Sequence, residues 1–190
     1  MGGLMTENNK NIQEPIKAYL SLPSFLTIVT SSVEVFKKET IGYLVGIKGE
    51  NKFMVEYAIP YQTAESTATH ATIDEDRVIR INEILHKLSE GLEYIGDFHS
   101  HTVYGKCQGT VIPSDTDLLS TVPGELNIIC AVNYKKRSVN WHESPRGILK
   151  GTVGGYRIEI GGYYIAEARI GRKYDRVMIK CPPVTGIHKK

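Results

Sequence analysis

Short apolar runs separated by polar or glycine-containing turns dominate the hydrophobic pattern of this chain. IKAYLSL is a candidate first strand, and the two apolar stretches TIGYLVGIKG and NKFMVEYAIPY meet around Gly49 to Asn51 as a natural hairpin. In the run that starts at Pro23, PSFLTIVTSSVEVFKK, apolar residues instead recur near helical spacing. This run predicts a helix with Pro23 near its start, although its β-branched residues count against helix formation.

The strongest helical pattern lies between residues 74 and 90, where Asp74 and Gly91 could cap the two ends. Its apolar stripe consists of Val78, Ile81, Leu85 and Leu88. EYIGDFHSH follows as a strand, and a loop then leads to a short helix from Ser114 to about Thr121. The order of elements predicts an α/β protein, with a mixed sheet and helices packed against it.

The remaining apolar segments predict further strands. LNIICAVNY and RSVNWHES are interpreted as a hairpin across Lys135 and Lys136. KGTVGGYRIEI and YYIAEARI follow as strand segments interrupted by glycine. Residues 15–175 are therefore expected to form one domain, preceded by a disordered or cloning-derived stretch at 1–14 and followed by a C-terminal tail at 176–190.

Composition narrows the classes of protein that fit. The 190 residues are 41% apolar and 23% charged, which is ordinary for a globular protein, and a net charge of +2 gives no electrostatic case for binding nucleic acid. No apolar run approaches the ~18 residues of a membrane-spanning helix. The polar N-terminus lacks the apolar core of a signal peptide, so we expect a cytoplasmic protein.

Three cysteines, Cys107, Cys130 and Cys181, are too widely spaced for a disulfide framework or a Cys-x-x-Cys zinc ribbon. Cys130 lies in the apolar run LNIICAV and is expected to be a small core residue. Cys107 lies in the loop after the two histidines, where it could be a surface thiol, a redox-sensitive group or an additional metal ligand.

The stretch GDFHSHTVYGKCQGTVIPSDTDL holds the candidate chemistry. On a strand, His99 and His101 point to the same face, and Asp117 in the first turn of the next helix could return a carboxylate to them. Two imidazoles and one carboxylate, with a position left open for water, is a plausible catalytic zinc site. Each part also has a structural explanation, because strand histidines form ordinary hydrogen bonds and Ser114 with Asp117 matches a helix capping pattern.

A zinc hydrolase also needs a base, and Glu39 is the candidate. It follows the first predicted helix and enters the first long strand. Because Lys37 and Lys38 precede it, a solvated surface carboxylate is an equally good interpretation, and residue chemistry alone does not select Glu39.

The chain resembles the JAB1/MPN/Mov34 (JAMM) metalloprotease family across roughly residues 16 to 145. The matching segments are ETIGYLVG from Glu39, IGDFHSH from Ile95 and PSDTDL from Pro113. The family pattern is a glutamate ahead of a glycine-containing strand, then His-x-His, then Ser-x-x-Asp. The resemblance implies the MPN fold, which is cytidine-deaminase-like, with a largely antiparallel central sheet flanked by helices, in what looks like a stand-alone prokaryotic or archaeal member.

Carried over to this chain, the resemblance implies that His99, His101 and Asp117 hold one zinc ion with a catalytic water. Glu39 would deprotonate that water and pass the proton to the leaving amine, and Ser114 would donate a hydrogen bond to the developing oxyanion. The chain departs from the family in having Thr102 where proline is usual, and in a longer loop from Thr102 to Pro113.

The resemblance implies an isopeptidase or peptidase that cleaves after the C-terminus of a ubiquitin-like modifier, with that modifier or its conjugate as partner. Trimming of the C-terminus of a ubiquitin-fold sulfur carrier would use the same chemistry. A non-catalytic MPN scaffold is the competing hypothesis, although such proteins typically lack one or more motif residues and this chain has them all. The oligomeric state is not predicted.

Overall fold

The computed structural model describes residues 14–62, 65–66, 71–72, 75–88, 91–166 and 174–186. Its strands are β1 Lys17–Leu20, β2 Ile41–Lys48, β3 Lys52–Pro60, β4 Glu65–Ser66, β5 Ala71–Thr72, β6 Glu93–His101, β7 Leu126–Tyr134, β8 His142–Glu143, β9 Leu149–Val153, β10 Tyr156–Tyr164 and β11 Asp175–Lys180. Its helices are α1 Leu22–Glu34, α2 Glu75–Leu88, α3 Asp115–Ser120 and α4 Pro182–Thr185.

The main sheet closes on itself as a barrel. Its strands run in the order β11-β1-β3-β2-β6-β7-β10, and β10 pairs with β11 to complete the ring. β10 can do this because its two halves have different partners: Tyr156–Ile160 pairs with β9, and Gly162–Tyr164 pairs with β11. Most pairings are antiparallel, while β1 runs parallel to both its neighbours and β6 runs parallel to β7. The predicted α/β class is confirmed; closure of the sheet was not predicted.

Helix α1 begins where the sequence predicts. Ser21 is its N-cap, accepting a hydrogen bond from the Ser24 N–H at 3.2 Å, and Pro23 occupies the first turn. Its buried face, with Phe25 and Ile28, packs against β3 and β7 and joins the main apolar core. The β-branched residues of α1 are tolerated because tertiary packing outweighs their lower helix propensity.

The predicted hairpin between LNIICAVNY and RSVNWHES is wrong. Strand β7 pairs instead with β6 and β10, and RSVNWHES contributes only β8, which pairs with β9. Eight of the nine β7 residues are buried, as expected of a strand covered on both faces and flanked on both edges. The observed hairpin joins β9 to β10 through Gly154 and Gly155, where Gly154 has the positive φ of +54° that a tight turn favours.

The C-terminal segment is more structured than expected. Residues 175–180, most of them assigned to a tail, form β11 inside the barrel, so the predicted tail has to be corrected. Val177 and Ile179 alternate toward the core and are fully buried, a period that the apolar Met178 between them obscures in the sequence. The N-terminal stretch predicted as disordered lies outside the described residues, apart from Glu14.

Helix α2 is confirmed, but its expected buried stripe is only partly so. Ile81 and Leu85 are half-buried, whereas Leu88 is 79% exposed. Gly91 adopts a φ of +83°, the left-handed conformation typical after a helix C-terminus, while Asp74 and the Val78 side chain lie outside the described residues. In the described part of the chain, no helix is long and apolar enough to cross a membrane.

Candidate metal centre

Strand β6 presents both histidines on one face. Phe98 and Ser100 are fully buried on the opposite face, so His99 and His101 project together, as predicted. Their Nε2 atoms lie 3.1 Å apart. Close packing of β6 depends on Gly96, whose φ is +145° and where a Cβ atom would lie 1.8 Å from the Leu126 carbonyl oxygen.

Helix α3 brings the third predicted ligand to the histidines. The Asp117 Oδ1 atom lies 3.5 Å from His99 Nε2, and Oδ2 lies 3.3 Å from His101 Nε2. Asp117 also completes a capping box: its Oδ2 accepts from the Ser114 N–H at 2.6 Å, and its own N–H donates to Ser114 Oγ at 3.1 Å. The capping and ligand interpretations of Ser-x-x-Asp are therefore compatible, because the capping box orients the Asp117 carboxylate toward the histidines.

The three side chains fit a metal ion. One ligand atom from each of them lies within 4.8 Å of the others, and their side chains are only 12–18% exposed. His101 Nδ1 lies 2.7 Å from the Thr110 carbonyl oxygen, which can only accept, so Nδ1 carries a proton. In the neutral imidazole the Nε2 lone pair then faces the other two ligands and is available to a metal, whereas in the protonated imidazolium Nε2 donates to Asp117. Two imidazoles and a carboxylate are typical of zinc and related transition metals.

The electrostatics of the group favour an ionised carboxylate. Burial alone would raise the pKa of Asp117, but hydrogen bonds from His101 and His99 outweigh burial and hold that pKa well below its usual range. Burial lowers the pKa of His101, yet its hydrogen bond and ion pair with Asp117 raise it on balance. Asp117 is therefore negatively charged and favours a positive charge beside it, either a protonated His101 or a metal ion.

Glu39 lies beside this group. It precedes β2, whose first residue Ile41 is opposite His99, and the backbone around it is anchored because the Thr40 N–H donates to Ser100 Oγ at 2.9 Å. Burial raises the pKa of Glu39 to about 7, with His101 lowering it and Asp117 raising it. Glu39 is half-buried, so the fully solvated alternative does not hold.

Thr102, which stands where the family usually has proline, has a contact of its own. Its hydroxyl accepts a hydrogen bond from the Lys37 N–H at 3.2 Å. Lys37 has a φ of +83°, rare for a residue with a side chain, so this bond supports the turn that delivers Glu39 to the site.

The long loop from Thr102 to Pro113 lies over the sheet next to the ligands. The Asn133 side chain binds it at Gly109, accepting from the N–H at 3.0 Å and donating to the carbonyl at 2.9 Å. Val111 packs with Ala131 in a small apolar cluster. Cys107 is exposed and is not part of the metal-ligand group, which does not support its role as an additional ligand.

Cys130 is buried, as predicted for a core residue, and burial raises the pKa of its thiol to about 12. Cys181 is likewise buried. The described structure contains both as free thiols, in agreement with the absence of a disulfide pattern in the sequence.

A pair of carboxylates that the sequence pattern did not single out lies near the candidate metal ligands. Asp97 and Glu125 each lie 3.0 Å from the Tyr94 hydroxyl, which has a single proton to donate. Burial raises the pKa of Asp97 to about 7, the Tyr94 hydrogen bond opposes this shift and Glu125 adds to it. Asp97 stands two residues before His99, so strand periodicity could have placed it on the face of β6 that carries the histidines.

Comparison with known proteins identifies relatives by sequence model and by fold. The model of the family described as prokaryotic homologs of the JAB domain matches residues 21–142. Among curated proteins, none matches the chain. The solution structure of protein DSY2949 from Desulfitobacterium hafniense is similar, with a TM-score of 0.60 and 16% identity, covering 86% of this chain and 92% of that protein. At this identity the likeness shows a shared fold.

Proposed function

Because the chain belongs to the family of prokaryotic homologs of the JAB domain, we propose that it is a zinc-dependent peptidase of the JAMM type with the MPN fold. Its expected substrate is a ubiquitin-like protein or its conjugate, cleaved after the modifier's C-terminus. The observation that carries the proposal is the convergence of His99, His101 and Asp117 beside the half-buried Glu39.

The chemistry required for amide hydrolysis follows from this arrangement. A zinc ion held by the three ligands would supply Lewis acidity, polarising a carbonyl and acidifying water. Glu39 would take the proton from the attacking water and deliver it to the leaving amine. In the metal-free protein burial raises the pKa of Glu39 to about 7, and a bound zinc ion would lower that pKa again. A partly buried carboxylate of this kind can accept a proton and release it again.

The Ser114 hydroxyl can donate a hydrogen bond to the oxyanion that forms during hydrolysis. Its Oγ atom accepts from the Asp117 N–H, so the hydroxyl proton remains free to donate elsewhere. A hydroxyl fixed at the start of α3 is preorganised for a developing negative charge, which is the usual source of stabilisation in acyl transfer.

The proposal is tested with purified protein, first freed of metal by chelation and then supplied with zinc. We expect close to one zinc per chain by elemental analysis, and release of the modifier from an isopeptide-linked ubiquitin-like conjugate. His99→Ala should abolish both, whereas His142→Ala, which changes an exposed histidine outside the ligand group, should leave both unchanged.

The assay also distinguishes the alternatives. Shortening of a free ubiquitin-fold carrier without cleavage of a conjugate would select the C-terminal trimming activity. Stoichiometric zinc without hydrolysis of either substrate would contradict the enzyme and favour a binding module. No zinc binding at all would overturn the whole proposal.

A further inference from the structure

A concave site separate from the metal ligands lies beside the long loop, whose residue Gln108 is part of its lining. It is a cavity of about 480 Å³, a size typical of small-molecule sites, which span roughly 300–1,000 Å³. Residues of β9 and β10 line it, with the loop residue Gln108 and the segment from Lys136 to His142. We call it the β9–β10 cavity.

The lining of the β9–β10 cavity carries an excess of positive charge. Lys136, Arg137, Lys150 and Arg157 line it. The acidic lining residue is Glu159, which is already paired with Lys150 at 3.2 Å. Lys136 and Arg137 are exposed at the rim. The lining thus holds four cationic side chains and one carboxylate, although the net charge of the whole chain is only +2. This local concentration of positive charge favours binding of an anion.

Arg157 has an unused hydrogen-bond donor. Its Nη2 donates to the Gln108 side-chain oxygen at 3.2 Å, whereas its Nε is buried and has no partner in the described structure. A buried donor without an acceptor is unfavourable, and an anionic oxygen is its best partner. Guanidinium groups commonly bind phosphate through such paired donors.

Tyr134 adds aromatic surface to the same cavity. Its side chain is 57% exposed, although its ring also packs against Phe36 and Tyr156, with centroid distances of 5.0 Å and 6.5 Å. These contacts fix an exposed ring that a planar group could pack against. Together with the cations, this ring argues for a ligand that has both phosphate and an aromatic base.

We propose that the β9–β10 cavity binds a nucleoside phosphate. Arg157 and Lys136 would hold the phosphate oxygens, and Tyr134 would contact the base. The bound phosphate would satisfy the Arg157 Nε donor. It would also compete with Gln108, which belongs to the loop whose Thr110 carbonyl fixes His101.

The experiment is calorimetric titration of the full chain with AMP, ADP and ATP, and separately with inorganic pyrophosphate, at physiological salt. We expect saturable binding of at least one nucleotide with a dissociation constant below 1 mM, tighter than that of pyrophosphate by about tenfold or more because of the base. Lys136→Gln combined with Arg137→Gln changes exposed rim residues, so the fold should be retained while affinity falls by about tenfold or more.

Arg80→Gln, a change of an exposed arginine on α2 outside the cavity, is the charge-matched control and should leave affinity unchanged. Arg157→Gln should also weaken binding, with circular dichroism as a check on folding. Absence of saturable binding, or equal loss with Arg80→Gln, would overturn the proposal. Pyrophosphate binding as tightly as the nucleotides would overturn its nucleoside part.

Discussion

Asn133 gives the sharpest test of how the long loop is held against the metal centre. It is 1% exposed, and its side chain makes two hydrogen bonds to the backbone of Gly109. The next residue, Thr110, provides the carbonyl that binds His101 Nδ1. Replacing Asn133 with alanine removes both bonds and leaves a buried N–H and a buried carbonyl without partners.

The expected loss of stability follows from those two groups. Each unsatisfied buried backbone group costs about 1–3 kcal/mol, so Asn133→Ala should lower the free energy of unfolding by about 2–6 kcal/mol. The lower end applies if water enters the vacated space. Urea unfolding followed by circular dichroism measures the difference. Because the same loop fixes His101, zinc affinity should fall as well.

Asn127→Ala is the matched control. Asn127 lies on the same strand and the same face and is 7% exposed, but the one hydrogen bond identified for its side chain, to the Glu125 carbonyl, is long at 3.4 Å. We expect a loss below about 1 kcal/mol for this variant. An Asn133→Ala loss below about 1 kcal/mol, or one equal to that of Asn127→Ala, would refute the reasoning.

Three further changes have defined outcomes. Gly96→Ala forces a side chain to within 1.8 Å of the Leu126 carbonyl oxygen at a positive φ. We therefore expect urea unfolding to show a loss of more than about 3 kcal/mol in the free energy of unfolding. A loss of less than about 1 kcal/mol would contradict this packing. Ser114→Ala removes the N-cap of α3 and should lower the free energy of unfolding by about 1 kcal/mol. With zinc still bound, the variant should cleave at least about tenfold more slowly, because the oxyanion loses a hydrogen-bond donor. An unchanged cleavage rate would exclude the oxyanion role of Ser114. In metal-free protein, Asp97 has a folded-state pKa of about 7, above the unfolded value of 3.8, so its contribution to stability is lost as pH rises through 7. The stabilisation by Asp97→Asn should therefore grow by about 2–3 kcal/mol between pH 5 and pH 8, and a pH-independent effect would contradict the raised pKa.

Local patterns predicted the parts of this fold that depend on neighbouring residues. The first helix, the hairpin of β2 and β3, and the shared face of His99 and His101 all follow from period and turn chemistry. The capping of α3 by Ser114 follows from the residue types alone.

Long-range pairing could not be predicted in the same way. The apolar run of β7 indicates a buried strand but does not specify its partners, so the adjacent segment RSVNWHES was wrongly paired with it. β11 joins the barrel through contacts with β1, more than 150 residues earlier in the chain. Closure of the sheet depends on such long-range contacts, which the hydrophobic periodicity of a single segment cannot predict.

In the candidate site, too, the local features could be predicted from the sequence and the long-range contacts could not. Sequence spacing brought the two histidines together and proposed Asp117 as their third ligand. The family resemblance selected Glu39 as the base and gave Ser114 its role as oxyanion donor. The structure places Glu39 within electrostatic reach of His101 and Asp117. The Thr110 carbonyl and the Asn133 anchor were not predicted, because a backbone acceptor and a loop contact leave no residue-type pattern in the sequence.

The most direct test of the proposed hydrolase is a comparison of zinc content and cleavage rate in Glu39→Gln. This change keeps the shape of the side chain but removes its ability to accept a proton, and Glu39 is not one of the three metal ligands. We predict one zinc per chain in both proteins and a loss of ubiquitin-like conjugate cleavage of at least about a hundredfold in the variant. Cleavage that persists at the wild-type rate while zinc remains bound would contradict the account.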